Sequence, residues 1–320
     1  MSIPTDFSDR RFLIIGGTSK AGTTSVFNYL AGHPQICATE AKETRFFLDA
    51  DYPLPSAKRY YKDGPGEYLS FFDFAKEPRG EAWSLEATPD YLYSPNAPRL
   101  IRETLPNVRL IFFLREPISR LLSFYQFGKQ INEIPQAMTF DQYVNLQRTG
   151  SGAYSSRGYC HPAYRALQHG RYSTYLSRFL EVFDRSAIYV AFYEELKCDA
   201  RLFMVSICQW AGIDWRYFRD YRFEVTNQGV KMRSPRLNQV YYEAKQKARR
   251  LVRNRVGLRS ILGQVGAKVN VIYRKMNVTN RNEVLISRST EDFLSRYYGE
   301  EAARLKKMLG IEAPWPNRKT

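Results

Sequence analysis

A short loop near the start of the chain has the composition of an anion-binding site. It runs from Gly16 to Ser25 and combines glycines, hydroxyl side chains and one lysine, Lys20. Glycines allow a tight turn in which successive backbone N–H groups point inward, and the lysine adds positive charge. We therefore expect a phosphate or sulfate ester to bind there. The residues expected to contact it are Gly17, Thr18, Ser19, Lys20, Ala21, Gly22, Thr23, Thr24 and Ser25.

The position of the lysine separates this loop from the nucleoside-triphosphatase loop. That motif, G-x-x-x-x-G-K-[ST], has its lysine directly after the last glycine. Here Thr23 follows Gly22, and Lys20 comes two residues before that glycine. The spacing argues against an ATPase but keeps the anion site. The alternative is a solvated surface turn rich in Gly, Ser and Thr, which the flanking strand and helix patterns disfavour.

A second candidate anion site follows a buried strand pattern further along the chain. Arg115 comes directly after the apolar run Val108 to Leu114, and Ser123 lies in the predicted helix that follows. The spacing would let both side chains reach one oxyanion, and an arginine fork with a hydroxyl suits a second phosphate. Alternatively, Arg115 forms a structural salt bridge with Glu116 or Asp90.

The elements that position these two sites alternate between strands and helices. Apolar patterns predict strands at 82–86, 108–114 and 187–192, helices near 97–103, 118–127 and 196–211, and a strand, loop and helix within 11–32. Such alternation indicates an α/β domain with a mostly parallel sheet and helices on both faces. Ligands then bind beyond the carboxyl ends of the strands, so the loops after Ile15, Glu86 and Leu114 should share one edge.

Two stretches, 48–80 and 129–162, exceed the usual length of a connection between elements. Loops of that length without structure of their own are typically functional. We therefore expect them to form a lid or a substrate cleft.

Composition limits the class of protein and the kind of partner. The chain has 320 residues, 44% of them hydrophobic and 25% charged, as in soluble globular proteins, and a net charge of +16. That charge indicates an anionic partner such as a nucleotide, an acidic glycan, a membrane surface or nucleic acid. The four cysteines form no C-x-x-C pair, and neither a membrane-spanning run nor a signal-peptide pattern is present. We therefore expect a cytoplasmic protein with reduced thiols.

A basic segment at 238–276 interrupts this pattern. Lysine and arginine greatly outnumber acidic residues in it, and apolar residues recur at roughly helical spacing. One interpretation is a basic amphipathic helix that contacts an anionic membrane or an acidic polymer. The other is a packed helix with a solvated basic face. We expect a single domain over 1–320 with this basic helical insertion at about 238–280.

Two phosphate sites along one edge suit a nucleotide phosphorylated at both ends, and here the sequence resembles a known family. Residues 17–25 resemble the 5′-phosphosulfate loop of the sulfotransferases that use 3′-phosphoadenosine 5′-phosphosulfate (PAPS), and residues 115–123 resemble their 3′-phosphate site. The resemblance implies a P-loop-like sulfotransferase fold, PAPS as cofactor, adenosine 3′,5′-bisphosphate (PAP) as its product and no metal.

Further motifs narrow the resemblance to the heparan sulfate and carbohydrate branch. Residues 43–47 are similar to its E-x-x-F-F segment, residues 86–91 to its E-K-T-P-x-Y segment and residues 170–180 to its G-x-Y-x-x-x-L helix. A late basic loop at 231–235 implies nucleotide contacts from Lys231, Arg233 and Ser234. The resemblance covers 11–236 and resumes at 293–315. Ala87 departs from it, because the branch has lysine there; either Arg45 or Lys42 substitutes, or the acceptor binds differently.

The resemblance assigns roles to individual residues. Glu43 would be the general base, and Lys20 the cation that stabilises the leaving phosphate oxygen. His161 and His169 are alternative bases, whereas His33 is expected to be a structural turn residue. Residues expected near the acceptor are Arg45, Glu86, His161 and Tyr172.

Together these observations predict a sulfotransferase that acts on a hydroxyl, less readily an amine, of a glycan or glycolipid acceptor. An acceptor that is a small non-sugar alcohol is one alternative. Another is a nucleotide-binding module that binds a polyanion or membrane through its basic segment. A third is phosphoryl transfer, for which Asp90 is the candidate magnesium ligand. The sequence contains no nucleic-acid-reading motif, so no nucleic-acid partner is expected.

Overall fold

The computed structural model describes residues 7–76, 82–150, 162–224, 231–232, 240–241, 244, 278–279 and 284–316. The strands are β1 (Arg11–Gly17), β2 (Ile36–Ala38), β3 (Trp83–Ala87), β4 (Val108–Leu114), β5 (Ile188–Phe192), β6 (Lys231–Met232) and β7 (Val278–Thr279). The α-helices are α1 (Thr23–Ala31), α2 (Tyr60–Asp63), α3 (Ala97–Thr104), α4 (Pro117–Gln130), α5 (Phe140–Arg148), α6 (Tyr172–Leu180), α7 (Tyr193–Cys198), α8 (Ala200–Ala211), α9 (Arg288–Tyr298) and α10 (Glu301–Leu309).

Five strands form a parallel sheet in the order β2-β3-β1-β4-β5, which confirms the predicted fold class. Strand β1 lies in the middle, with Ile14 opposite Glu86 of β3 and Gly17 opposite Phe112 of β4. The chain therefore passes from one side of β1 to the other between β3 and β4. At such a switch point the loops after neighbouring strands diverge and leave a crevice at the carboxyl edge of the sheet.

The alternation of side chains along β1 divides the core between the two faces of the sheet. Phe12 and Ile14 pack with α3, α6 and α10, whereas Leu13 and Ile15 pack with α1 and α8. All four side chains are fully buried. A strand buried on both faces is nearly continuous in apolar residues, as β1 is, and this rigid support precedes the anion loop directly.

The chain divides into two compact units, which we describe separately. The first comprises 1–120, 165–227 and 291–320 and contains the five-stranded sheet. The second comprises 121–164 and 228–290. In the second unit β6 and β7 pair antiparallel, and Thr139 begins α5 with a capping box shared with Gln142. The expectation of one domain over 1–320 stays a prediction.

The predicted elements differ from the observed ones in three places. The single helix predicted at 196–211 is two helices, because Asp199 accepts hydrogen bonds from the backbone N–H groups of Arg201 and Leu202 and begins α8. Strand β2 was not predicted. The long stretches 48–80 and 129–162 contain α2, α5 and 3-10 turns such as Pro65–Phe71.

Among the described residues, no helix combines the length and apolar character needed to cross a membrane.

Candidate active site

The anion loop lies between β1 and α1, as predicted. Gly22 is the residue before α1 and has a left-handed backbone with φ 84°. A Cβ on Gly22 would lie 2.8 Å from Leu196 Cδ2, so both the backbone conformation and the available space require glycine. The first turn of α1 carries no acidic side chain. Its backbone N–H groups and the positive end of the helix dipole are therefore suited to an anion.

Arg115 connects the two predicted phosphate sites. Its Nη1 donates a hydrogen bond to the carbonyl oxygen of Lys20 at 3.0 Å, and its guanidinium lies 4.5 Å from the ring centroid of Tyr193. The Tyr172 hydroxyl donates to the carbonyl oxygen of Arg115 at 2.7 Å. The loops after β1 and β4 therefore meet at the carboxyl edge of the sheet, as the strand pattern predicted. The role of Arg115 as a phosphate ligand stays a prediction.

Thr18 is turned toward the protein interior rather than the surface of the loop. Its side chain is fully buried and its hydroxyl forms a hydrogen bond with the Tyr93 hydroxyl. Its backbone N–H donates to the carbonyl oxygen of Phe113 at 2.6 Å. These contacts tie the start of the loop to β4 and to the 3-10 turn Pro89–Tyr93. Thr18 thus fixes the path of the loop, and the side chains of Thr23 and Ser25 are also buried.

Several predicted nucleotide contacts fall on the second unit or outside the described residues. Ser123 lies in α4 in the second unit, where its side chain is buried. Lys231 lies in β6, and only its backbone is described. Arg233 and Ser234 lie outside the described residues, as does His161. Their expected roles stay predictions.

Glu43, the predicted base, lies between two cations. One carboxylate oxygen accepts a hydrogen bond from Lys42 Nζ at 3.0 Å, and the other accepts from Arg45 Nη2 at 2.8 Å. Burial raises the pKa of Glu43, but the charges and hydrogen bonds of the two cations outweigh it and lower the pKa below its usual value. Glu43 is therefore an ionised carboxylate with 30% of its side chain exposed.

The backbone around these residues is unusual. Of the four non-glycine residues with positive φ in the described part of the chain, three are Lys20 (75°), Glu43 (67°) and Arg45 (59°). A left-handed conformation costs an L-residue about 1–2 kcal/mol. Such conformations persist only where the surrounding structure enforces them, and they concentrate at functional sites. The strain therefore coincides with the residues to which the sequence assigns chemistry.

Glu86, expected near the acceptor, is fully buried at the end of β3. Its Oε1 accepts hydrogen bonds from the Thr44 backbone N–H at 3.3 Å, the Thr44 hydroxyl at 3.1 Å and the Thr88 hydroxyl at 2.5 Å. Burial raises the pKa of Glu86 to about 7, although these hydrogen bonds lower it. Glu86 therefore contacts the segment that carries Glu43 and does not present its carboxyl group at the surface.

Asp90 is a second buried carboxyl group near Glu43. The Tyr52 hydroxyl donates to Asp90 Oδ1 at 2.8 Å. Burial and the negative charge of Glu43 raise the pKa of Asp90 to about 6. Within the described ranges, no three His, Cys, Asp or Glu side chains lie close enough together to hold a metal ion.

The two described histidines are buried and hydrogen-bonded or stacked. His33 Nε2 donates to the carbonyl oxygen of Asp214 at 2.8 Å, while Nδ1 accepts from the Gln35 backbone N–H at 3.0 Å, as expected for a structural turn. The His169 ring stacks on Tyr93 with centroids 3.7 Å apart. Burial, together with neighbouring arginines, lowers the pKa of His169 well below its usual value, so this ring is neutral at physiological pH.

Several residues that support the site from behind were not predicted from the sequence. Tyr193 lies against Arg115, Tyr93 against Thr18, and Thr44 and Thr88 against Glu86. A usable signal existed for Tyr193, because it directly follows β5 at the same edge of the sheet. Tyr172 was expected near the acceptor, but it is fully buried and contacts the Arg115 backbone.

The parallel sheet, the anion loop after its first strand and the arginine after the neighbouring strand define a class of α/β proteins that bind phosphate esters. Comparison with known proteins narrows the class. The model of the sulfotransferase domain family matches residues 9–257 of the chain. The chain therefore belongs to the sulfotransferase domain family, which confirms the resemblance seen in the motifs.

Similar proteins include heparan sulfate enzymes. The human bifunctional heparan sulfate N-deacetylase/N-sulfotransferase 2 is 26% identical over 216 residues, which is 67% of this chain and 23% of that protein. The membrane-associated sulfotransferase kil1 of Dictyostelium discoideum is 39% identical over 120 residues, 37% of this chain and 23% of that protein. This chain thus spans less than a quarter of the length of these curated relatives.

A solved structure covers nearly the whole chain. The crystal structure of a sulfotransferase from Alicyclobacillus acidocaldarius matches with a TM-score of 0.63 over 95% of this chain and 97% of that one, at 18% identity. At this identity the likeness shows the fold, which agrees with the sheet described above.

Proposed function

We propose that the protein transfers a sulfuryl group from PAPS to a hydroxyl, less readily an amine, of a carbohydrate-containing acceptor. The observation that carries this proposal is the hydrogen bond between Arg115 and the Lys20 carbonyl. It joins an anion loop to an arginine at adjacent strand ends. Two anion sites so close together suit a nucleotide with a phosphate at each end.

The residues at the edge of the sheet fit PAPS chemically. Gly22 has a left-handed backbone and no room for a Cβ, and α1 offers its first N–H groups to an anion. When bound, PAPS supplies an activated sulfuryl group and leaves as PAP. In the first unit the residues that would hold it are Gly17, Ser19 to Ser25 and Arg115, since Thr18 faces the interior. The resemblance implies further contacts from Ser123, Lys231, Arg233 and Ser234.

Glu43 takes the proton of the acceptor hydroxyl in this proposal. Its lowered pKa supports an ionised carboxylate at neutral pH, and its partly exposed side chain supports access by an acceptor. A positioned general base contributes roughly 10²–10⁴-fold to a rate. Lys20 and the N-terminus of α1 offset the negative charge that develops on the phosphate side of the breaking bond.

A carbohydrate acceptor is supported by the heparan sulfate names of several relatives and by the similar E-x-x-F-F segment. Ala87 replaces the lysine of the heparan sulfate branch, and Lys42 and Arg45 are the nearby cations that bind Glu43. We infer that these two cations also attract a negatively charged acceptor.

Transfer of ³⁵S from labelled PAPS tests the function. The acceptors are neutral glycans, uronic-acid-containing glycans, a small phenol and water alone. We expect label on a glycan, and a loss of about 10²–10³-fold in Lys20→Met. Lys307→Met, at an exposed position of α10, is the matched control and should keep the rate. Label on the phenol alone would favour a small acceptor. Transfer of phosphate from ATP without transfer from PAPS would overturn the proposal.

We further propose a cytoplasmic protein that contacts anionic membranes through 238–276, a segment largely outside the described residues. The support is the excess of lysine and arginine in this segment. Flotation with phosphatidylserine vesicles tests it. Binding should disappear when the charges of 238–276 are reversed, and a wild-type protein that does not float with the vesicles would refute it.

A further inference from the structure

The turn that carries Glu43 is held to the end of β3 by three consecutive backbone amides. The Glu43 N–H donates to the carbonyl oxygen of Ala87 at 2.9 Å. The Thr44 N–H donates to Glu86 Oε1 at 3.3 Å, and the Arg45 N–H donates to Thr88 Oγ1 at 3.1 Å. Two of these three contacts end on side chains rather than on the strand backbone.

Glu86 connects these contacts. Its Oε1 accepts from the Thr44 N–H, from the Thr44 hydroxyl and from the Thr88 hydroxyl, which itself receives the Arg45 N–H. The buried Glu86 Oε1 therefore accepts hydrogen bonds from Thr44 directly and is linked to the Arg45 N–H through the Thr88 hydroxyl. The residues on either side of Thr44 both have left-handed backbones. Without an acceptor at Glu86, the Thr44 N–H would lose its hydrogen bond in this set, and the Thr88 hydroxyl that accepts from the Arg45 N–H would lose its own acceptor.

We propose that Glu86 is a positioning residue, whose carboxyl group holds the 43–45 turn and thereby fixes the position of the Glu43 carboxylate. This inference rests on the proposed function, because that function gives Glu43 its role as general base. It assigns Glu86 no contact with the acceptor, because its side chain is fully buried.

The environment of the carboxyl group agrees with this role. Glu86 Oε2 is buried and accepts no hydrogen bond from any residue that the structure describes. Burial raises the pKa of Glu86 to about 7, and the charged or titratable groups that act on it are Lys42, Tyr68 and Tyr91. The neutral and ionised forms both keep Oε1 as an acceptor. A glutamine, which retains one carbonyl-type oxygen, should therefore preserve the turn, whereas methionine should not.

The test compares Glu86→Met, Glu86→Gln and Thr44→Val in the full chain. Hydrogen exchange followed by mass spectrometry measures the amides of 42–46, calorimetry measures affinity for PAP, and labelled PAPS measures turnover. Because misplacement by about 1 Å can cost about 10²-fold in rate, we expect Glu86→Met to lower kcat by roughly that factor. Exchange at 42–46 should rise, PAP affinity should stay close to wild type, and Glu86→Gln should restore both exchange and kcat.

The matched control is Glu301→Met. Glu301 is also a buried carboxyl group that accepts from a backbone N–H and a hydroxyl, those of Ser173, at 2.6 and 3.1 Å. The Glu301→Met variant should have a lower free energy of unfolding, but its amides at 42–46 should not exchange faster than in wild type. If Glu86→Met does not fold, Thr44→Val carries the same expectation of raised exchange.

Two results would overturn the inference. One is unchanged exchange at 42–46 in both Glu86→Met and Thr44→Val. The other is unchanged kcat in Glu86→Met while wild type turns over PAPS. If wild type itself shows no turnover, the proposed function fails, but the exchange measurement still decides whether Glu86 holds the turn.

Discussion

Single residues at this site combine chemistry with backbone strain. Lys20, Glu43 and Arg45 all have positive φ, and Glu43 is ion-paired on both sides. An ion pair alone is also what a purely structural carboxylate would form. The left-handed backbone favours a functional role, because a surface ion pair of modest value would not require it.

Substitution of Glu43 by glutamine separates these interpretations. Glutamine keeps the shape but cannot accept the proton, so kcat should fall by roughly 10²–10⁴-fold while PAP still binds. In wild type, the lowered pKa means that activity is retained to a pH below the usual pKa of glutamate and is lost as the carboxylate protonates. Glu103→Gln is the control, since Glu103 is ion-paired with Arg99 at the surface. A rate near wild type in Glu43→Gln would assign the base elsewhere, and of the two histidine alternatives His161 would remain, since His169 is buried against Tyr93.

At the scale of elements, the junction of β1, the anion loop and α1 carries the site. Gly22 is the point where the loop turns into the helix, and it lies against Leu196 and Tyr193 of α7. Tyr193 also lies against Arg115. Helix α7 therefore contacts both the anion loop, at Gly22, and the guanidinium of Arg115.

Gly22→Ala tests this junction. The left-handed backbone costs about 1–2 kcal/mol for alanine, and the added Cβ would lie 2.8 Å from Leu196 Cδ2. We expect lower stability in urea and weaker binding of PAP. Gly212→Ala is the control, because Gly212 also has a left-handed backbone but no atom within 4 Å of the added Cβ. If both variants bound PAP like wild type, the junction would have no role in binding.

The sequence predicts elements well where the hydrophobic pattern is long. Strands β1 and β4 are seven residues each, and both were found from their apolar runs. Strand β2 has only three residues after a turn, too few for a period to be read. The break between α7 and α8 depends on a single capping side chain, Asp199, inside a continuous helical pattern.

Part of the site could also be predicted from the sequence. Lys20, Arg115 and Glu43 follow strands or motifs, so their types and positions are visible in the sequence. The burial of Glu86 and Tyr172 is not, because it depends on which tertiary neighbours cover a polar side chain. The hydrogen bond from Thr44 to Glu86 links residues more than forty positions apart, and no local pattern encodes it. The hydrogen bond from the Thr88 hydroxyl ends on the same buried oxygen.

At the scale of the whole molecule, the net charge of +16 agrees with a nucleotide donor that carries several negative charges. Charge alone does not choose between PAPS and ATP. The choice depends on the loop, whose lysine precedes its last glycine, and on the arginine that joins it from β4. Both features favour a donor with separate phosphate groups and no magnesium ion between them.

Calorimetry of the wild-type protein with PAP and with ATP tests this central claim most directly. The titration with PAP is done in EDTA, and the titration with ATP is done with and without magnesium. We expect tight binding of PAP without metal and much weaker binding of ATP in either condition. Tighter binding of ATP with magnesium than of PAP would contradict the account, because it would indicate a nucleoside-triphosphate site at this loop.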